Sequence, residues 1–281
     1  MQIPHVGSLQ AGPRNAITDV AGVTVGHATL DDGDVQTGVT VVRPHPGDLY
    51  RDRVPAAAVV LNGFGKSIGL VQVDELGVLE TPIALTNTYS VAAVAQAQIG
   101  HCIAANPESG RNLPTVNPLV FECNDGFLND IQRMAVTPQH YLQAFDAASE
   151  KAVSGSVGAG RGMSCFELKG GIGTASRRVV LRGGAGYTVG ALVLANFGKL
   201  AQLRIDGHAV GERLAAATPD DAPEQGSIIL LLATDAPLDA RQLRRLALRA
   251  GAGLARTGSV FGHGSGDIAL AFSTAYTVPQ V

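Results

Sequence analysis

The stretch 222–234, APEQGSIILLLAT, passes from a polar, turn-forming segment straight into an apolar strand, and the change falls at one bond, Gly226–Ser227. A serine hydroxyl is a weak nucleophile until a base within hydrogen-bond reach activates it. With the 226–227 bond broken, Ser227 would carry that base itself. A free α-amine has a pKa of about 7.7–8.0, so much of it is neutral near physiological pH, where a general base works best. This is the N-terminal-nucleophile arrangement. Glycine before the serine tolerates strained dihedrals that would open its carbonyl to attack by Ser227 Oγ. Taken alone, a Gly-Ser pair ahead of a strand is an ordinary turn.

Other chemistries lack their residues. There is no Gly-x-Ser-x-Gly elbow and no Gly-x-x-x-x-Gly-Lys-Ser/Thr phosphate cradle, and Gly158-Ala-Gly160-Arg-Gly162 lacks the dinucleotide spacing. The seven histidines are scattered, with no His-x-x-x-His pair, so neither a metal nor a cofactor is expected.

The elements that must position Ser227 follow from the pattern. Strands are expected around Val23, Val25 and 39–42, over 55–63 and 81–87, at the start of 117–131, at 178–182 and 187–195, over 200–206, 227–233 and 268–272. Helices are expected within 64–77, over 90–105, from Thr137-Pro138 to about Val153, and over 238–256, where Leu243, Leu246, Ala247, Ala250 and Leu254 repeat at helical spacing. Residues 106–117 read as a loop, 215–226 as a linker and 258–267 as a glycine-rich turn. The segment after the linker holds two strands and one helix, too little for its own core. It must be a layer of one α/β domain that spans 1–281.

Composition narrows the classes further. The 281 residues are 16% charged and 46% hydrophobic with a formal net charge of −3, which describes a dense globular chain without a nucleic-acid footprint. Thirty-five glycines exceed the usual ~7% and signal tight turns and close backbone approach. Three widely spaced cysteines without a CxxC pair fit a reducing, cytoplasmic setting. No signal peptide and no apolar run of about 18 residues is seen, so no membrane partner is expected.

Seven stretches, in order and spanning nearly the whole chain, together resemble one family. They are NAITDVAGVTVGHATL (15–30), TPIALTNTYSV (81–91), NPLVFECNDGFLNDI (117–131), LKGGIGTASR (168–177), VLANFG (193–198), GSIILLLATDAPL (226–238) and ARTGSVFGHGSGDIALAFSTA (255–275). The family is the DmpA-type L-aminopeptidase/D-esterase family, which includes the β-peptidyl aminopeptidases. The resemblance implies a four-layer αββα sandwich, like N-terminal-nucleophile hydrolases in architecture but with its own connectivity. It implies self-cleavage into 1–226 and 227–281, with the pieces staying together as a homo-oligomer, a tetramer of cleaved protomers.

The same resemblance assigns residues. Ser227 matches the nucleophile and Gly226 the residue before the cut. Asn196 matches the asparagine that stabilises the oxyanion, and Ser265 and Asp267 the serine–carboxylate pair that orients the nucleophile and its amine; some relatives have Glu at the second position. Lys169 matches a lysine near the site that would lower the amine's pKa by like charge; a solvated surface lysine is the other reading. Glu122 lies where relatives place a carboxylate for the substrate's ammonium. Asn124 stands where several carry a Tyr that lines the site. Cys123 reads as a small buried residue and His263 as a loop residue. The implied function is hydrolysis of an amide or ester of a small peptide-like substrate with a free amino group, through an acyl-enzyme on Ser227. An acyltransferase on the same scaffold, or an uncleaved binding protein, are the alternatives.

Overall fold

The computed structural model describes residues 5–215 and 225–280. Most of the linker stretch 215–226 therefore lies outside the described residues. In chain order the strands and helices are β1 (Thr24–Asp32), β2 (Val35–Arg43), β3 (Asp52–Gly63), α1 (Leu70–Leu76), β4 (Val78–Leu79), β5 (Ile83–Asn87), α2 (Val91–Ala105), β6 (Val120–Cys123) and α3 (Pro138–Asp146), followed by β7 (Ser164–Cys165), β8 (Leu168–Lys169), β9 (Gly171–Val180), β10 (Gly186–Asn196), α4 (Val210–Leu214), β11 (Gln225–Thr234), α5 (Ala240–Ala255), β12 (Gly264–Ser273) and β13 (Val278–Pro279).

Most of these strands form two sheets, face to face, while β7 and β8 pair only with each other. One has the order β1-β2-β5-β6, the other β13-β3-β12-β11-β10-β9 with β4 added on β3. The central core lies between them: Val25, Val42, Leu85 and Phe121 from the first sheet meet Leu192, Leu231, Leu270 and Phe272 from the second. Each sheet is covered on its outer face as well. Tyr141 and Ala144 of α3 and Val94 of α2 pack on Val39 and Val41; Leu243, Ala247 and Leu254 of α5 pack on Ala57, Leu230 and Ala269. The result is the expected helix–sheet–sheet–helix sandwich. It explains why β11 is apolar on both faces: a strand covered on both sides cannot alternate. Truncating one of these large side chains to alanine costs about 2–5 kcal/mol.

The last segment is woven into this frame. β11 runs parallel to β12, the two being joined by α5, whose N-terminus is closed by reciprocal Asp239–Gln242 bonds. Their outer neighbours, β10 and β3, are antiparallel to them.

Three expectations need correction. The third helix stops at Asp146, not near Val153, because Ser149 bonds both main-chain groups of Val25 and so draws the chain onto β1. Residues 200–206 are no strand: Leu200–Gln202 is a 3₁₀ turn, and the next carbonyl and N–H go to α4 and Thr257 (Gly211 N to Leu203 O, 2.9 Å; Arg204 N to Thr257 O, 2.8 Å). The glycine-rich turn 258–267 is shorter than expected. β12 already starts at Gly264, because β11 extends back to Gln225 and pairs with it, so Ser265 and Asp267 stand on a strand.

Candidate active site

Three adjacent strands bring Asn196, Ser227, Ser265 and Asp267 to one end of the larger sheet. β11 and β12 are parallel, so both start there; β10 is antiparallel, so it ends there. The register sets Asn196 opposite Ser227, and Ser227 opposite Gly266. All four side chains are buried, with 7% or less of each residue exposed.

The Ser227 hydroxyl donates to the carbonyl of Gly226 (2.6 Å) and accepts the Gly266 N–H (3.2 Å). Gly226 has φ +150°, and a Cβ there would lie 2.3 Å from the Asn196 carbonyl oxygen. Only glycine fits this position, on conformation and on space.

Beside the junction, Ser265 Oγ donates to Asp267 Oδ1. Burial pushes the Asp267 carboxyl above its ordinary pKa, against the opposing pull of the Ser265 hydroxyl and the Ile228 N–H. Its other oxygen, Oδ2, is buried and has no hydrogen-bond partner among the described residues. A buried, half-satisfied carboxylate is unfavourable and invites a donor.

The Asn196 carboxamide is clamped from both ends. Its Oδ1 accepts the Ser164 N–H and its Nδ2 donates to the Asn124 carbonyl, both at 2.9 Å. Reversing the amide would set donor against donor and acceptor against acceptor, so its orientation is defined. One Nδ2 hydrogen is free of this pairing. Ser164 opens the β7–β8 hairpin, whose turn residues Phe166 and Glu167 both have positive φ, 51° and 59°. Non-glycine residues held so cost about 1–3 kcal/mol each. The turn is retained by packing: Phe166 donates its N–H to Phe197 O (2.7 Å) and its ring meets the Phe197 ring edge-on at 5.0 Å.

Glu122, near the end of β6, is 3% exposed. Its Oε1 accepts the Lys66 N–H (2.7 Å) and its Oε2 the Thr88 hydroxyl, and among the described residues no lysine or arginine pairs with it. Gly65 separates it from the row of Ser227 and Gly266: a methyl group there would lie 3.4 Å from Glu122 Oε1 and 3.7 Å from Gly266 Cα.

The remaining residues fall into place less directly. Asn124 meets Asn196 through its main chain; its own side chain is turned onto the Gly126 N–H (2.9 Å). Lys169 makes no hydrogen bond to Ser227. Its ammonium sits on the carbonyls of Gly160 (3.1 Å), Met163 (2.8 Å) and Gly170 (2.9 Å), and burial together with the Arg161 charge lowers its pKa. Cys123 is fully buried, which raises its thiol pKa well above the ordinary value. His263 is exposed in the loop before β12.

Sequence reasoning missed the groups that hold these residues: Thr88, the Lys66 and Ser164 N–H groups, and a buried network in which Thr37 Oγ1 and Asn129 Nδ2 donate to Asp125 and Asn87 Nδ2 donates to Thr37 Oγ1. The signal for part of it was present, since Thr86-Asn87-Thr88 is a polar run at the end of an apolar strand. A cavity of about 230 Å³ lined by Arg43, Gln98, His101 and Tyr141 touches none of the site residues.

Solved structures share this arrangement of layers. A protein from Pyrococcus horikoshii OT3 superposes with a TM-score of 0.93 at 48% identity, over 98% of this chain and 78% of that one. The L-aminopeptidase D-Ala-esterase/amidase of Ochrobactrum anthropi, described as a prototype for the serine aminopeptidases and a variant of the Ntn hydrolase fold, superposes with a TM-score of 0.90 at 37% identity, over 97% of this chain and 77% of that one. Fold and site thus define an Ntn-type hydrolase of the aminopeptidase class. The profile of peptidase family S58 matches residues 15–281, and the chain belongs to that family. It is 44% identical to the β-peptidyl aminopeptidase BapA of Sphingosinicella microcystinivorans, over 97% of this chain and 73% of that protein. The resemblance carried by the seven stretches is borne out.

Proposed function

We propose that the chain is a self-processing serine aminopeptidase whose nucleophile is Ser227. In the first reaction Ser227 Oγ adds to the Gly226 carbonyl carbon and the Gly226 C–N bond breaks. The acyl group passes to Oγ as an ester, and the nitrogen becomes the α-amine of Ser227. Water then hydrolyses the ester, leaving a carboxylate on Gly226 and restoring the hydroxyl.

The observation that carries this reading is the Gly226–Ser227 junction itself. The hydroxyl lies 2.6 Å from the oxygen of the carbonyl it would attack, on a residue that must be glycine. Gly226 pairs with Ser265 and Ile228 with Asp267, so the nitrogen to be released lies between them. An α-ammonium there would supply the donor that Asp267 Oδ2 lacks.

In the mature enzyme the α-amine takes the Ser227 proton as the hydroxyl attacks the substrate carbonyl, and returns it to the leaving amine. The free Nδ2 hydrogen of Asn196 supports a role as oxyanion donor, worth about 3 kcal/mol in a transition state. Glu122 receives the substrate's free amino group; the absence of a lysine or arginine partner among the described residues supports this. The relatives named for β-peptidyl substrates suggest short peptides or amides with an N-terminal β-amino residue. A homotetramer of cleaved protomers belongs to the same proposal and is open to sedimentation measurement. Among the described residues no disulfide is formed, which supports a cytoplasmic location, and no helix is long and apolar enough to cross a membrane.

Intact mass and a denaturing gel test the reading. Wild type should give two fragments, the smaller starting at Ser227, while Ser227→Ala stays whole and inactive. A wild-type chain that stays whole through long incubation and turns over no aminoacyl anilide would overturn it.

A further inference from the structure

The ammonium of Lys169 occupies all three of its donors on main-chain carbonyls. No donor is left for a hydrogen bond to the Ser227 amine, so any tuning of that amine would have to act through space by charge alone. The three carbonyls are informative in their own right. Gly160 closes a 3₁₀ turn, Met163 immediately precedes Ser164, and Gly170 lies between β8 and β9. Lys169 thus staples the two ends of the β7–β8 hairpin to the turn before it.

The Met163 carbonyl is the important one. It accepts Lys169 Nζ at 2.8 Å and the Gly170 N–H at 2.9 Å. The same planar peptide group carries the Ser164 N–H. Holding the oxygen at one edge therefore aims the N–H at the opposite edge, where it meets Asn196 Oδ1 at 2.9 Å. The turn has no slack on its far side. A Cβ on Gly162 would lie 2.9 Å from Asp125 Cβ and 2.1 Å from the Gln36 carbonyl oxygen, so the turn is seated directly on the buried Asp125. The peptide joining Asn124 to Asp125 presents the other clamp on Asn196, the carbonyl that accepts its Nδ2.

We propose that Lys169 is a positioning residue: by fixing the Met163–Ser164 peptide it holds the Asn196 carboxamide in the orientation that leaves an N–H for the oxyanion. The inference rests on the reading of Asn196 as that donor. It makes Lys169 act through Asn196 alone, with no direct effect on the amine.

A double-mutant cycle separates these cases. Turnover of an aminoacyl p-nitroanilide is measured for Lys169→Met, Asn196→Ala and the double variant, on protein whose cleavage is verified by mass. Asn196→Ala should lower kcat about 100-fold. Lys169→Met should lower kcat about tenfold, with KM within twofold and the pH profile in place, and Lys169→Arg should recover most of the loss. The double variant should be no slower than Asn196→Ala within twofold. An undiminished kcat in Lys169→Met, a loss that multiplies in the double variant, or a displaced pH profile overturns the inference. An undiminished kcat in Asn196→Ala instead overturns the oxyanion reading. A crystal structure of Lys169→Met decides the matter without activity, even where maturation fails. A Ser164 N to Asn196 Oδ1 separation beyond about 3.5 Å, outside hydrogen-bond range, supports the inference; an unchanged bond sinks it.

Discussion

The two halves of the candidate site are built differently. The Ser227 row, proposed above to carry the nucleophile, stands on three hydrogen-bonded strands, and its members are placed by sheet register. The Glu122 edge, proposed above for recognition, is braced by segments that follow strands: Lys66 after β3 and Thr88 after β5 each take one oxygen of Glu122 on β6. Phe64 and Tyr89, next to these contacts in sequence, are 60% and 54% exposed. Both Ser227 and Glu122 stand on backbone ladders; the difference lies in their partners, which for Ser227 come from neighbouring strands and for Glu122 from the connections after strands.

Breaking the row should cost most. Gly226→Val forces a side chain onto a φ of +150° and into the Asn196 carbonyl; self-cleavage, followed on a gel, should slow by about a hundredfold or more. Glu122→Gln removes a charge but preserves shape. Its expected signature in steady-state kinetics is a KM raised about tenfold with kcat within threefold, because an ammonium loses a charge-assisted bond; an equal fall in kcat would place Glu122 in the row's chemistry instead.

Asp267 offers a subtler contrast, best read in the uncleaved Ser227→Ala protein. Burial raises its carboxyl pKa, so the folded state holds that proton more tightly than the unfolded state. Its contribution to stability must then decline as pH rises from the unfolded value of about 4 up to the raised folded value. Adding Asp267→Asn should flatten that part of a Tm-against-pH curve; an unaltered curve refutes the assignment. The smallest effect belongs to Asn124→Ala. The contact to Asn196 is through the main chain and the side chain faces Gly126, so kcat/KM should stay within about twofold.

Local pattern made much of this legible. β11, α5 and the polar-to-apolar change at Gly226–Ser227 could be found in the sequence because each is a local signal of period or composition. The start of β12 could not, since Gly264–Asp267 become strand only by pairing with β11. The end of α3 is likewise decided by Val25, remote in sequence. Of the candidate site, the side-chain positions were found through resemblance, whereas the Thr37–Asn87–Asp125 network and the Met163–Ser164 peptide were not. Main-chain donors carry no residue signature, and a network joining positions 37, 87, 125 and 129 has no spacing to detect.

The place of β11 and β12 between β3 and β10 has a consequence for the lifetime of the molecule. Before the proposed cut, folding is a first-order process of one chain. Afterwards the shorter piece fills the two places between β3 and β10 and adds β13 on the far side of β3, and leaving would require three ladders, β11 on β10, β12 on β3 and β13 on β3, to open together. Once lost, it could return only by a second-order encounter, which slows with dilution. The mature protein would then persist by its barrier to unfolding rather than by an equilibrium it can revisit: assembled once, and after heat or denaturant not readily assembled again.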